Sequence, residues 1–164
     1  MQKIIKDDII SKDKWSFAHD IAELENYKKQ TTHIFLNYTL WTDVKDNLDP
    51  DKFWGVTLNS DQEPNCLKDD LHKLSAIALN FSTFMDGRNF SSARELRESY
   101  SFVGEIRVIG DFIRDQLFFL KRCGVNVFQF SNDTDLEAAL GSLMDFSDAY
   151  QASATDREPL FRRR

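Results

Sequence analysis

One pattern, used twice in succession between residues 75 and 130, restricts how this chain can fold more than anything else in it. It is a short apolar run, then a polar elbow, then apolar residues at helical spacing. In SAIALNFSTFMDGRNFSSARELRESYSF the run at 76–81 leads into Asp86, Gly87 and Arg88 before the helical spacing begins. In EIRVIGDFIRDQLFFLKRCGVNVFQF the run at 105–109 leads into Gly110 and Asp111, and a helical spacing follows again. Further strand candidates are IFLNYTL at 34–40, FWGVTLN with its core at 55–59, and VNVFQF at 125–130. Short apolar strands alternating with helices of about 10 to 15 residues predict an α/β fold of repeated βα units with a mainly parallel sheet. The near-continuous apolar runs place those strands inside, covered on both faces. Both a doubly wound sheet and an open partial barrel satisfy the pattern. The repetition is expected in the pattern only, not in residue identity.

Around this core the chain reads as three parts. MQKIIKDDIISKDKWSF, residues 1–17, has two apolar stretches around Ile4 and Ile9 parted by Lys6, Asp7 and Asp8, which suits a small N-terminal hairpin. Residues 18–151 form the α/β domain. From Trp15 to Lys29 the chain is helix or coil with a solvated face of Glu and Lys. A short helix follows at WTDVKDNLD, capped by Thr42 or Asp43 and ended by Pro50. Leu67, Leu71 and Leu74 recur at helical spacing, and DTDLEAALGSLMDFSDAYQ is the closing helix. Residues 152–164 are a loose tail with basic residues at its end, Arg162 to Arg164.

Composition narrows the class of protein. With 41% hydrophobic residues and 14 Phe in 164 residues, the chain has enough apolar surface for one packed core. A net charge of −6 opposes nucleic-acid binding, which needs a basic footprint. No stretch approaches the roughly 18 apolar residues of a membrane span, and the start lacks the order of a signal peptide, so residence in the cytoplasm is expected. Cys66 and Cys123 do not form a metal or redox motif. Neither a metal nor a cofactor is expected. Cys123 reads as core, and His19, His33 and His72 lack ligand partners at motif spacing.

The elbows are the candidate site, because ligands of parallel sheets gather at the carboxyl ends of the strands, beside helix N-termini. Ser91 or Ser92, and Asp111, are expected to cap their helices, with Gly87 and Gly110 at positive φ. Arg88, Arg94, Arg107 and Arg114 crowd this span, and guanidinium groups favour carboxylate or oxyanion partners. Asp86, Asp111 and Asp115 crowd it too, so an internal salt-bridge network is the alternative to a ligand site. Arg107 lies within an apolar strand and, if buried, needs a carboxylate partner. Asp86, Arg88, Arg107 and Asp111 are expected in one polar cluster at the carboxyl edge. No catalytic triad, P-loop or dinucleotide fingerprint occurs, and the catalytic residues, if any, stay unassigned.

The motifs DGRNFSSARELR, GEIRVIGDFIRDQLFFLKRCGVNVFQF and the AYQ at 149–151 resemble the bacterial family called domain of unknown function number 934. The resemblance picks out Asp86, Arg88, Ser91, Arg94, Arg97, Arg107, Asp111, Arg114, Asp115 and Gln116 within those motifs, with no established roles. It implies a cytoplasmic protein of assimilatory sulfate and sulfite reduction in cysteine biosynthesis, with sulfite reductase as partner. Members carry oxidoreductase labels. Two readings therefore stand side by side: an accessory protein acting with sulfite reductase through the elbows, and an enzyme holding a small oxyanion there. The sequence does not decide whether the chain is an enzyme.

Overall fold

The computed structural model describes residues 2–131 and 134–144. Its chain begins with the expected hairpin. Asp7 and Asp8 both take left-handed φ values, 49° and 64°, the mirror-image turn whose twist suits paired strands. They join β1 (Lys3–Lys6) to β2 (Ile9–Lys12) in antiparallel register. The hairpin is not peripheral, because β1 also pairs with β8 (Val127–Phe128) and belongs to the one sheet.

Six parallel strands follow: β3 (Ser16–Ala18), β4 (His33–Asn37), β5 (Phe53–Asn59), β6 (Ala76–Phe81), β7 (Glu105–Gly110) and finally β8. Between or after them come α1 (Ile21–Gln30), α2 (Tyr38–Val44), α3 (Arg88–Glu98), α4 (Leu117–Arg122) and α5 (Leu136–Met144). The predicted extension of the closing helix to Gln151, and the tail at 152–164, lie outside the described residues.

Connectivity forces the shape. The sheet order is β2-β1-β8-β7-β6-β5-β4-β3, so β2 and β3 are opposite edges. Yet only Asp13, Lys14 and Trp15 join them. Seven spacings of about 4.8 Å would part the edges of a flat sheet by about 34 Å. Four residue steps reach at most about 14 Å. The eight strands therefore curl into a half-barrel, which decides between the two architectures that the sequence allowed.

Strand alternation then sorts the side chains. Ile34, Leu36, Val56, Leu58, Ile77, Leu79, Ile106 and Val108 belong to the main core with Leu24, Trp41, Leu96, Leu117 and Leu143 from the helices. Phe35, Ala76 and Ala78 form a second cluster on the concave face with Trp15, Phe17 and Ile109. A Cβ on Gly55 would lie 2.5 Å from the Phe35 ring, so this glycine leaves room for the ring to lie across β5.

Several local expectations shift. β4 ends at Asn37, whose side chain accepts from the Leu40 N–H and caps α2, so the cap is neither Thr42 nor Asp43. Ser16–Ala18, in the stretch that reads as helix or coil, is a strand, because the curled sheet supplies β4 as a partner for it. The leucine spacing at 67–74 yields two short 3₁₀ turns, Pro64–Leu67 and Leu71–Lys73, in place of a helix. Cys123 is buried, as its place after an apolar helix suggested.

Candidate functional site

The first elbow, between β6 and α3, is held by a local ion pair. Asp86 accepts from the Arg88 backbone N–H at 3.1 Å, from its Nε at 3.0 Å and from its Nη2 at 2.8 Å. These bonds from Arg88 hold the Asp86 carboxyl far below the ordinary carboxylate range. α3 therefore begins at Arg88, and Ser91 and Ser92 lie inside it instead of capping it. Gly87 has φ −79°, so it does not need the left-handed region; Gly110 does, at φ 87°.

The second elbow, between β7 and α4, packs beside the first. Gln116 Nε2 donates to the Phe84 carbonyl at 2.7 Å, while its Oε1 accepts from the Ile113 N–H at 3.0 Å. Asp111 does not cap the turn that opens here, since Ile113 precedes it. Asp111, Arg114 and Asp115 are exposed, as are Ser91 and Arg94, and Arg94 lies 3.7 Å from Glu98 along α3. Arg97 points away, to the carbonyls of Gly124, Phe102 and Gly104.

Arg107 does not join the elbow cluster. Position 107 faces the concave side of β7, where the side chain is 0% exposed. Its Nε donates to Glu105, its Nη1 to Asp13 at 2.6 Å and Gln129 at 2.7 Å, and its Nη2 to Asp13 at 2.9 Å; Nη2 also lies 2.7 Å from Glu105 as an ion pair. All three guanidinium nitrogens are therefore engaged. It also lies 5.2 Å from the Phe35 ring centre and 5.9 Å from that of Phe17. The expected carboxylate partner thus exists twice over, and one of the two comes from the segment that joins the edges of the sheet.

Arg107, Phe35 and Phe17 plug the half-barrel midway and leave a mouth at each end. The amino-end mouth, a cleft of about 560 Å³, carries Lys6, Lys12 and Lys14 above Glu105 and Asp13. Its wall includes His33, stacked on Phe53 with ring centres 4.5 Å apart and set edge-on to Trp15 at 5.1 Å. Burial pushes the His33 imidazole below its ordinary range, and Lys14 and Lys6 push it the same way. A depressed folded-state value means that the unfolded chain binds the proton more readily. Stability from this group is therefore full above about pH 6.5 and declines as the pH falls. Melting temperature should drop between about pH 7 and pH 5, and His33→Gln should flatten that part of the profile. An identical slope in the variant would assign the effect to other groups.

The carboxyl-end mouth contains residues that motif reasoning missed. Three neighbouring strands end alike: Ile34-Phe35-Leu36-Asn37, Val56-Thr57-Leu58-Asn59 and Ile77-Ala78-Leu79-Asn80. The Leu-Asn ending is a repetition in identity that the pattern-only expectation passed over. Register pairs Asn59 with Asn80 and Asn37 with Thr57, which sets the three asparagines along one rim. Asn80 Nδ2 donates to Asn59 Oδ1 at 2.9 Å, and Asn37 Nδ2 donates to the His19 carbonyl at 3.0 Å. The cleft below measures about 570 Å³ and is lined also by Gln62, Thr57, Phe17, Phe35 and Ile109. The first elbow adjoins it, because Asn89 and Ser60 both donate to the Asn80 carbonyl.

Among the described residues no helix is long and apolar enough to cross a membrane. No curated protein matches the chain. Residues 55–161 match the family described as "Bacterial protein of unknown function (DUF934)", and this stretch includes both elbows and the strand ends at Asn59 and Asn80. Since the match spans more than half of the 164 residues, the chain belongs to that family.

Proposed function

We propose that this protein is a cytoplasmic accessory factor of assimilatory sulfite reduction, docking on sulfite reductase through the paired elbows. The observation that carries the docking reading is the exposed apolar surface of those elbows: Phe84 is 51% exposed, Met85 81% and Ile113 41%. Arg88 and Arg114 flank these side chains in the sequence, and both are exposed. Arg, Met and aromatic residues are the types enriched where protein interfaces concentrate their binding energy. The sulfite connection rests on what the resemblance described above implies, the matched family being described as of unknown function. An oxyanion clamp built from Arg88 and Arg107 has less support. Arg88 is already forked onto Asp86, and Arg107 has all three guanidinium nitrogens engaged inside the half-barrel.

Binding of purified sulfite reductase to this protein tests the proposal. Met85→Asp should weaken it by about tenfold or more, since the new charge would have to be desolvated in the interface. Arg88→Ala should weaken it as well, with the melting temperature nearly unchanged, because the arginine is exposed and an exposed ion pair contributes little to stability. A deletion strain should grow on cysteine but poorly on sulfate or sulfite. Unimpaired growth on sulfate, or reductase binding that Met85→Asp leaves intact, would reject the reading.

A further inference from the structure

We infer that the carboxyl-end mouth of the half-barrel is a binding site for a small uncharged planar ring that carries both a hydrogen-bond donor and an acceptor. This inference is independent of the docking surface and rests on three features of the cleft. The first is its charge. Among the described residues its lining holds no Asp, Glu, Lys or Arg, whereas the amino-end mouth is ringed with lysines. Apart from the exposed His19, the lining offers a charged group no counter-charge for the water it would lose. The start of α2, which faces the cleft through Tyr38 and Thr39, is already capped by Asn37.

The second feature is the pattern of unused hydrogen-bonding atoms. The Asn59 and Asn80 amides share one bond, from Asn80 Nδ2 to Asn59 Oδ1. That leaves Asn59 Nδ2 as a donor and Asn80 Oδ1 as an acceptor, neither with a partner among the described residues. Gln62 Nε2 is a second such donor, since its Oε1 is taken by the Asn59 N–H at 2.9 Å. A free donor and a free acceptor on one rim are each satisfied by a ligand that carries both kinds of group. Sites of this kind reject analogues that lack the matching group, because their own polar atoms would be left unpaired.

The third feature is the floor. Phe17 and Phe35 stack with ring centres 4.8 Å apart and planes 12° from parallel, and Ile109 lies beside them in the same cluster. An apolar, aromatic base under a polar rim suits a flat ring that buries its faces and presents its edge. The cleft, about 570 Å³, is within the range of small-molecule sites.

Uracil and nicotinamide, which carry both kinds of group on different rings, are the test ligands. Each is added to the ¹⁵N-labelled full chain while the side-chain amide signals of Asn59, Asn80 and Gln62 are followed, with acetamide and sulfate in parallel. Saturable shifts with uracil or nicotinamide at millimolar or lower concentration, and weaker ones with acetamide, are expected; which ring binds tighter identifies the source. Asn59→Asp keeps an acceptor for Asn80 Nδ2 but replaces the free donor, so it should weaken ring binding by about tenfold or more while the backbone spectrum stays native. Sulfate shifting these amides more than the rings do, no saturable shift with either ring, or full affinity in Asn59→Asp would each overturn the assignment.

Discussion

Replacing Arg107 by alanine should destabilise the protein by about 3 to 5 kcal/mol, the usual cost of removing one partner of a buried ion pair. The carboxylates of Asp13 and Glu105, 7% exposed each, would remain in place without the guanidinium, and among the described residues only Glu105 would keep a second cation, Lys6 at 3.0 Å. Against a total stability of about 5 to 15 kcal/mol, the loss should lower the melting temperature by about 10 °C or more. The injury should be greatest at the seam, because Asp13 lies in the segment that ties β2 to β3. Amide exchange over residues 13–18 should rise more than elsewhere on the sheet. The combined change Arg107→Met, Asp13→Leu and Glu105→Gln should recover much of the loss, since an apolar filling needs no charge compensation. Equal melting temperatures for wild type and Arg107→Ala would show that the buried network contributes nothing to the fold.

Gly110→Ala should cost about 2 to 5 kcal/mol, from two sources that add. The residue sits at φ 87°, where an L side chain is strained by about 1 to 2 kcal/mol. An added Cβ would also lie 2.3 Å from the Phe81 carbonyl oxygen and 2.6 Å from Asn80 Oδ1, a crowding that typically costs about 1 to 3 kcal/mol. Backbone cannot swing aside as a flexible side chain can, so the end of β6 must shift. Denaturant unfolding would measure the loss as a lower midpoint at unchanged slope. Because Asn80 is part of the obstacle, ring binding at the carboxyl-end mouth should weaken in the same variant. A variant as stable as the wild type would mean that this turn relaxes freely.

Much of the secondary structure was legible because burial and periodicity leave a direct trace in the residues. Runs of Ile, Val, Leu and Phe at 76–81 and 105–109 could hardly be anything but covered strands, and both appear within one residue of the expected ends. Boundaries failed where polar residues had two possible jobs. Asn37, Asp86 and Gln116 took the capping and turn contacts expected of Thr42 or Asp43, Ser91 or Ser92, and Asp111, because only one of them reaches the free N–H groups in each folded elbow. Ser16–Ala18 is too short to declare itself and becomes a strand only because β4 lies alongside.

The site divides in the same way. Sequence alone determined that an arginine in the β7 run would need carboxylates, since an unpaired buried charge is too costly to persist. Tertiary structure decided which ones. Asp13 lies 94 positions away in the chain and reaches Arg107 only because a short linker forces the sheet to curl. The elbows were readable as neighbours, because consecutive βα units aim their loops at the same edge. Their separation from Arg107 was not readable, since strand alternation turns position 107 toward the concave face while the loops stay outside. The Leu-Asn endings were present in the sequence throughout, yet a lone asparagine after a strand signals a turn as readily as a site. Only the register of β4, β5 and β6 brings the three together along one rim, and only the curl of the sheet places a cleft beneath them.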